Sequence, residues 1–108
     1  MKYKKIVIKI GTSVLAKKDG RIDRDIIENI ASQVSDLLDK GVKLILVSSG
    51  AISAGRGILN MTSSSLSDLQ AMASVGQNEL MHLYREAFKK RNYLVGQILL
   101  TQEDFNDR

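Results

Sequence analysis

Two short stretches of this 108-residue chain place hydrogen-bond donors and positive charge where an anion could be held. The first is Lys9-Ile10-Gly11-Thr12-Ser13. A lysine within an apolar strand is costly unless its ammonium meets a partner or water. At the end of such a strand it reaches the mouth of a site, where it would neutralise charge on a phosphoryl group in flight. Gly11 lets the backbone come close to an oxyanion, and the N–H groups that follow can form a nest. The same residues also read as an edge-strand lysine snorkelling to solvent ahead of a plain turn, and pattern alone does not choose between the two.

The second stretch is Ser48-Ser49-Gly50-Ala51. Small residues between a buried strand and a helix leave backbone N–H groups free to face an anion at the helix N-terminus. The serine hydroxyls add donors, and simple helix capping by serine is the competing reading.

Other constellations are weaker. Gly50-x4-Gly55-Arg56 has the glycine spacing of a phosphate-binding Walker loop but lacks its Lys-Ser/Thr ending. No Gly-x-Gly-x-x-Gly follows a strand, so a dinucleotide site of the Rossmann type is not supported. There are no cysteines and one histidine, His82, which excludes disulfides and Cys- or His-cluster metal sites. Met61, Met72 and Met81 read as core filler, and Asp68, Glu79 and Glu86 as solvated helix faces. No nucleophile–base–acid triad is visible.

The elements that must position the two stretches alternate between strand and helix. Ile6–Ile10 is a β-branched apolar run closed by Gly11, read as a strand buried on both faces. Asp19-Gly20 marks a turn. Asp23 is a good N-cap, followed by Ile26, Ile27, Ile30, Val34, Leu37 and Leu38 at helical spacing, with Gly41 as the C′ residue. Val42–Val47 predicts a second strand, and Ala51 opens a helix after it. A long helical pattern runs from Leu66 to Lys90, with Leu69, Met72, Ala73, Gly76, Leu80, Leu83, Tyr84 and Phe88 near one face. Gly76 there marks a bend or a close packing contact. Tyr93–Leu100 predicts a third strand, and Thr101 with Asp104 has the spacing of a helix start. Such β-α alternation predicts a parallel sheet covered by helices. Ligands bind outside the carboxyl ends of such strands, which here places Gly11–Ser13, Ser48–Gly50 and Thr101 on one edge.

Composition bounds the partners. The formal net charge is +4, with short basic clusters at Lys2–Lys5, Lys17–Lys18 and Lys89–Arg91. Those clusters read as solvated surface, and the aromatic interleaving that binds single-stranded nucleic acid is missing. The basic balance favours small anionic substrates. No stretch has the roughly 18 apolar residues of a membrane span, and no cleavage site follows the basic start, so no membrane partner and a cytoplasmic location are expected.

Four blocks carry a resemblance. Val7-Ile8-Lys9-Ile10-Gly11-Thr12-Ser13-Val14-Leu15 resembles the opening of the glutamate 5-kinases, in the amino-acid kinase superfamily. So does Leu46-Val47-Ser48-Ser49-Gly50-Ala51-Ile52-Ser53-Ala54-Gly55-Arg56. Leu69–Gln77 and Val95–Thr101, with Asp104 and Arg108, complete the match in order. The first block would fit several superfamily members, many of which carry Gly where Thr12 stands; the second and third are more specific.

The resemblance implies an α/β fold, a three-layer α-β-α sandwich with a mainly parallel sheet, of which residues 1–108 are the N-terminal part. It implies transfer of the ATP γ-phosphoryl to the side-chain carboxylate of L-glutamate, giving L-glutamyl 5-phosphate for proline biosynthesis. Lys9 then matches the lysine that binds ATP phosphates and stabilises the transferring group. Gly11 and Thr12 match the phosphate-facing turn, Ser49 a glutamate-binding serine, and Gly50 and Ala51 the backbone between the two substrates. Mg²⁺ accompanies ATP, and no residue of this chain is assigned as a metal ligand. Family members continue well beyond the point matching Arg108 and supply there a second catalytic lysine and the nucleotide pocket. The expectation is a segment without kinase activity on its own. Assembly into a homo-oligomer is also expected, since an incomplete sheet leaves an open edge. The alternatives are a superfamily member with a different acceptor, and a non-catalytic anion-binding or assembly module.

Overall fold

The computed structural model describes residues 4–98. The elements run β1 (Lys5–Ile10), α1 (Thr12–Leu15), α2 (Arg24–Asp39), β2 (Lys43–Ser48), α3 (Ala51–Leu59) and α4 (Leu66–Lys89). The result is a mixed α/β unit around a small parallel sheet. β1 and β2 pair from Lys5 opposite Lys43 to Ile10 opposite Ser48, and α2 makes the crossover that parallel pairing requires.

The strands alternate between exposed and half-buried residues. Ile8, Ile10, Leu44 and Leu46 pack against a core built from Leu15, Ile27, Ala31, Val34, Leu80, Leu83, Tyr84 and Phe88. On the other face Val7 and Ile45, opposite each other in the register, are 67% and 63% exposed. This corrects the expectation of a strand buried on both faces. Among the described residues α2 and α4 occupy one side of the sheet. The apolar run concealed a period of two because the outward positions Val7, Ile45 and Val47 are apolar as well.

α2 follows its sequence signals. The Asp23 carboxylate accepts from the Asp25 N–H at 3.0 Å and satisfies one of the four donors orphaned at a helix start. Asp23→Ala should therefore cost about 1 kcal/mol, read from urea unfolding. Gly41 follows the helix at φ +85°, as expected of a C′ residue. Ser35 is buried on the core side of α2, and its Oγ has no partner among the described residues. Ser35→Ala removes that unmatched hydroxyl and should stabilise the fold by about 1 kcal/mol; a lower thermal midpoint would contradict this.

α4 begins at Ser65, whose hydroxyl accepts from the Asp68 N–H, and buries Met72, Gly76, Leu80, Leu83, Tyr84, Ala87 and Phe88 along one stripe. It runs unbroken through Gly76, so close packing rather than a bend is the reason for that glycine. A Cβ on Gly76 would lie 1.6 Å from the Ala51 carbonyl oxygen, and one on Gly55 would lie 1.8 Å from that of Met72. α3 and α4 thus touch backbone to backbone.

The predicted third strand is also corrected. Residues 93–98 form no strand, and Leu99 and Leu100 lie outside the described residues, as does the predicted helix start at Thr101 and Asp104. Tyr93 and Val95 pack against the core while Leu94 is fully exposed. Tyr93–Gly96 alternates between inward and outward residues, but the segment pairs with neither β1 nor β2, so no ladder forms. Among the described residues no helix is long and apolar enough to cross a membrane.

Candidate functional site

Parallel pairing sets the carboxyl ends of β1 and β2 side by side, and the ladder continues one step into the turns. The Ser49 N–H donates to the Ile10 carbonyl at 2.9 Å. This bond joins the two stretches singled out in the sequence. Gly11 and Thr12 stand at the junction of β1 with α1, and Ser49, Gly50 and Ala51 at the junction of β2 with α3. Lys9 lies one residue before the end of β1, exposed on the helix-free face beside Val47. No ion pair holds its ammonium among the described residues, so its charge is available to a ligand.

The start of α3 is built for an uncapped helix end. Gly50 is its N-cap with φ +112°, a left-handed backbone that side chains resist, and no side chain caps the helix. The first intrahelical bond runs from Ala54 N–H to the Gly50 carbonyl, which leaves the N–H groups of Ala51, Ile52 and Ser53 to other acceptors. Capping by serine, the competing reading of this stretch, is not what occurs. The Ser48 hydroxyl instead donates to the Ser49 carbonyl at 3.0 Å. The free donors and the positive end of the helix dipole both favour an anion there.

The turn rests on a small hairpin. Ala16 and Ile22 form an antiparallel bridge around the Asp19-Gly20 turn, and the Asp23 N–H donates to the Leu15 carbonyl at 2.7 Å. This seats the Leu15 and Ile22 side chains beneath Gly50, where a Cβ would stand 3.3 Å from Ile22 Cδ1 and 3.6 Å from Leu15 Cδ1. The Ser53 hydroxyl fastens α3 to the hairpin through the Gly20 carbonyl at 2.8 Å. Gly50→Ala should cost about 2 kcal/mol, from its positive φ and this crowding, with a matching fall in the urea midpoint.

From above, α4 braces the same turn. Gly76 abuts the carbonyl of Ala51, and the Tyr84 hydroxyl lies 2.8 Å from Ser48 Oγ. Burial raises the Tyr84 pKa above its ordinary value and outweighs the opposing hydrogen bond to Ser48, so the phenol keeps its proton at neutral pH. Gly76 was legible in the sequence as a bend or a close packing contact, though not its partner; the Tyr84 support was not legible. Tyr84 sits in the apolar stripe of α4 like any core aromatic, and its partner is 36 residues away.

Gly11 differs from Gly50. Its φ is −84°, and a Cβ there would meet nothing within 4 Å. The fold therefore tolerates a side chain at Gly11, and the open space in front of it is where a ligand could approach. Gly55, the second glycine of the Walker-like spacing, is buried in the middle of α3 against α4, which removes it from any phosphate loop. His82 is exposed on α4. Met72 is fully buried as core filler, whereas Met61 and Met81 are only half-buried. A shallow cavity of about 310 Å³, lined by Arg21, Arg56 and Asn60 among others, lies at the far end of α3 from Gly50. Among the described residues no three acidic or imidazole groups come together to hold a metal ion.

Comparison with known proteins supplies the context for this edge. The chain is 40% identical over 108 residues to the glutamate 5-kinase of Chlorobaculum tepidum, covering 98% of this chain and 30% of that protein. It is 42% identical over 106 residues to the glutamate 5-kinase of Caldanaerobacter subterraneus, covering 96% and 28%. Against the glutamate 5-kinase of Listeria monocytogenes serotype 4b it is 48% identical over 102 residues, covering 93% and 37%. The chain thus spans about a third of the length of these relatives. The model of the amino acid kinase family matches residues 4–108, which include both turns and the helices that brace them, and the chain belongs to that family.

Proposed function

We propose that this chain forms the phosphate-facing part of an ATP-dependent kinase acting on the side-chain carboxylate of L-glutamate, giving L-glutamyl 5-phosphate, the first step of proline biosynthesis. The observation that carries the reading is the junction of the two turns through Ser49 N–H and the Ile10 carbonyl, with Lys9, which has no ion-pair partner among the described residues, at the end of the same strand. The names of the relatives supply the acceptor.

A glutamate carboxylate oxygen attacks the γ-phosphorus in line, the bond to the β,γ-bridging oxygen breaks, and ADP leaves. Such a reaction needs positioning and charge neutralisation rather than a covalent nucleophile. In this reading Lys9 offsets charge on the phosphoryl oxygens, and Gly11 and Thr12 face the ATP phosphates. Ser49 holds glutamate, while the backbone of Gly50 and Ala51 lies between the two substrates. Mg²⁺ accompanying the nucleotide would add positive charge at its phosphates, and no described residue is assigned to hold it. The helix-free face with Val7, Ile45 and Val47 would be the inner face of a three-layer α-β-α sandwich once further helices cover it. The same reading takes the protein to be a cytoplasmic homo-oligomer.

The test is a hybrid in which residues 1–108 replace the matching segment of the Listeria relative. Glutamate-dependent release of ADP from Mg-ATP is expected from the hybrid, and none from the 108-residue chain alone. Turnover with a different acceptor only would move the chain to another member of the family. A folded hybrid that binds phosphate without turnover would make it an anion-binding module.

A further inference from the structure

Ser48 Oγ sits between two oxygens, the Ser49 carbonyl at 3.0 Å and the Tyr84 hydroxyl at 2.8 Å. A serine hydroxyl carries one proton. The carbonyl can only accept, so that proton goes to Ser49, and the bond to Tyr84 is made by the tyrosine donating. Both bonds form at once in one arrangement only: Tyr84 O–H to Ser48 Oγ, and Ser48 O–H to the Ser49 carbonyl. Tyr84 is 4% exposed and rooted in the core by Leu80, Leu83 and Phe88 on the same helix. It is the rigid end of the chain.

The consequence falls on Gly50. The Ser49 carbonyl and the Gly50 N–H belong to one planar trans peptide and point in opposite directions. A hydrogen bond that holds the carbonyl on the side of Ser48 Oγ and Tyr84 therefore turns the N–H to the opposite side of the peptide. Gly50 has φ +112° and no side chain to fix its own peptide, so this plane would otherwise be free to rotate. No backbone carbonyl among the described residues takes up the Gly50 N–H.

We propose that Tyr84 is a positioning residue: through Ser48 it locks the Ser49–Gly50 peptide so that the Gly50 N–H is presented to a substrate oxyanion. Its effect on turnover rests on the kinase reading above; its effect on the peptide does not.

Two measurements separate those claims. In the isotope-labelled 108-residue chain, Tyr84→Phe should shift the Gly50 amide resonance and speed its exchange with solvent at least severalfold. Ser48→Ala should do the same, while Ser48→Thr, which keeps the hydroxyl, should restore the parent behaviour. In the Listeria hybrid, Tyr84→Phe should lower kcat/KM for glutamate about ten- to a hundredfold and leave KM for ATP within about twofold. The Tyr84→Phe, Ser48→Ala double variant should be no worse than either single, because both break one chain. Ile27→Val in the core of α2 provides a comparable loss of stability without touching the turn. An unchanged Gly50 amide in Tyr84→Phe overturns the proposal, as does a kinetic loss no larger than that of Ile27→Val. A parent hybrid without glutamate turnover would sink the kinase reading instead, and the Gly50 amide would still decide the role of Tyr84.

Discussion

Gly76→Ala should lower the thermal midpoint by more than about 10 °C, a loss of about 3 kcal/mol or more. A methyl group at this position would overlap the Ala51 carbonyl oxygen at 1.6 Å and the Gly55 nitrogen at 2.6 Å. Both are backbone atoms of α3, so no rotamer change relieves the clash. α3 has to move away from α4, and Gly55 is likewise seated on the Met72 carbonyl. The damage extends beyond stability, because Ala51 is the first residue of α3 and belongs to the proposed site. Displacing it also pulls on Gly50 and the Ser49–Ile10 bond. Gly11→Ala is the matched control: its φ is ordinary and its Cβ meets open space, so its midpoint should stay within about 2 °C of the parent. A small shift for Gly76→Ala, or an equal one for both variants, would show that the two helices do not pack on their glycines.

Lys9→Met has the opposite profile. Lys9 is exposed and has no ion-pair partner among the described residues, so the substitution should leave the urea midpoint nearly unchanged. In the Listeria hybrid it should reduce kcat by about a hundred- to a thousandfold, the usual cost of deleting one group that stabilises charge on a transferring centre. Lys5→Met tests whether this is a property of the position or of basic charge in general. Lys5 shares the face and the strand but lies at the amino end of β1, opposite Lys43 and away from the turns. It should keep kcat within about twofold. Lys9→Met turning over like the parent would remove Lys9 from the catalytic role and return it to the reading of a solvated edge lysine.

These two variants mark the boundary between what the residues announce and what they conceal. Lys9, Gly11, Ser49 and Gly50 are visible in the chain because donors and small residues follow apolar β-branched runs. Asp23 and Gly41 are visible for the same kind of reason, since capping and C′ chemistry are local and act within a few residues. The strand faces and the third strand depart from the sequence expectation for a shared reason. An apolar run does not say which neighbour will cover it, and Val7 and Ile45 stay exposed where nothing among the described residues packs on them. Tyr93–Gly96 has the alternation of a strand, but a strand also needs a free edge at the right distance and register, and neither is encoded in its own residues.

The two turns themselves show the division most clearly. By itself the sequence determined that Lys9–Ser13 would be a strand end running into a turn and Ser48–Ala51 a strand-to-helix junction, both rich in donors, because that depends on residue types a few positions apart; the short helix Thr12–Leu15 after the first was not legible. The sequence left open whether the second was a serine cap or an anion site. The β-α alternation already placed the two turns on one edge, and tertiary structure decided the bond that joins them, from the Ser49 N–H to the Ile10 carbonyl. It also decided that the Ser48 hydroxyl bonds Tyr84 and that the N-cap of α3 falls on Gly50, which has no side chain to cap the helix. Those decisions are made by contacts across 36 residues and by two helices touching through glycines, and distances of that kind exist only once the chain has closed on itself.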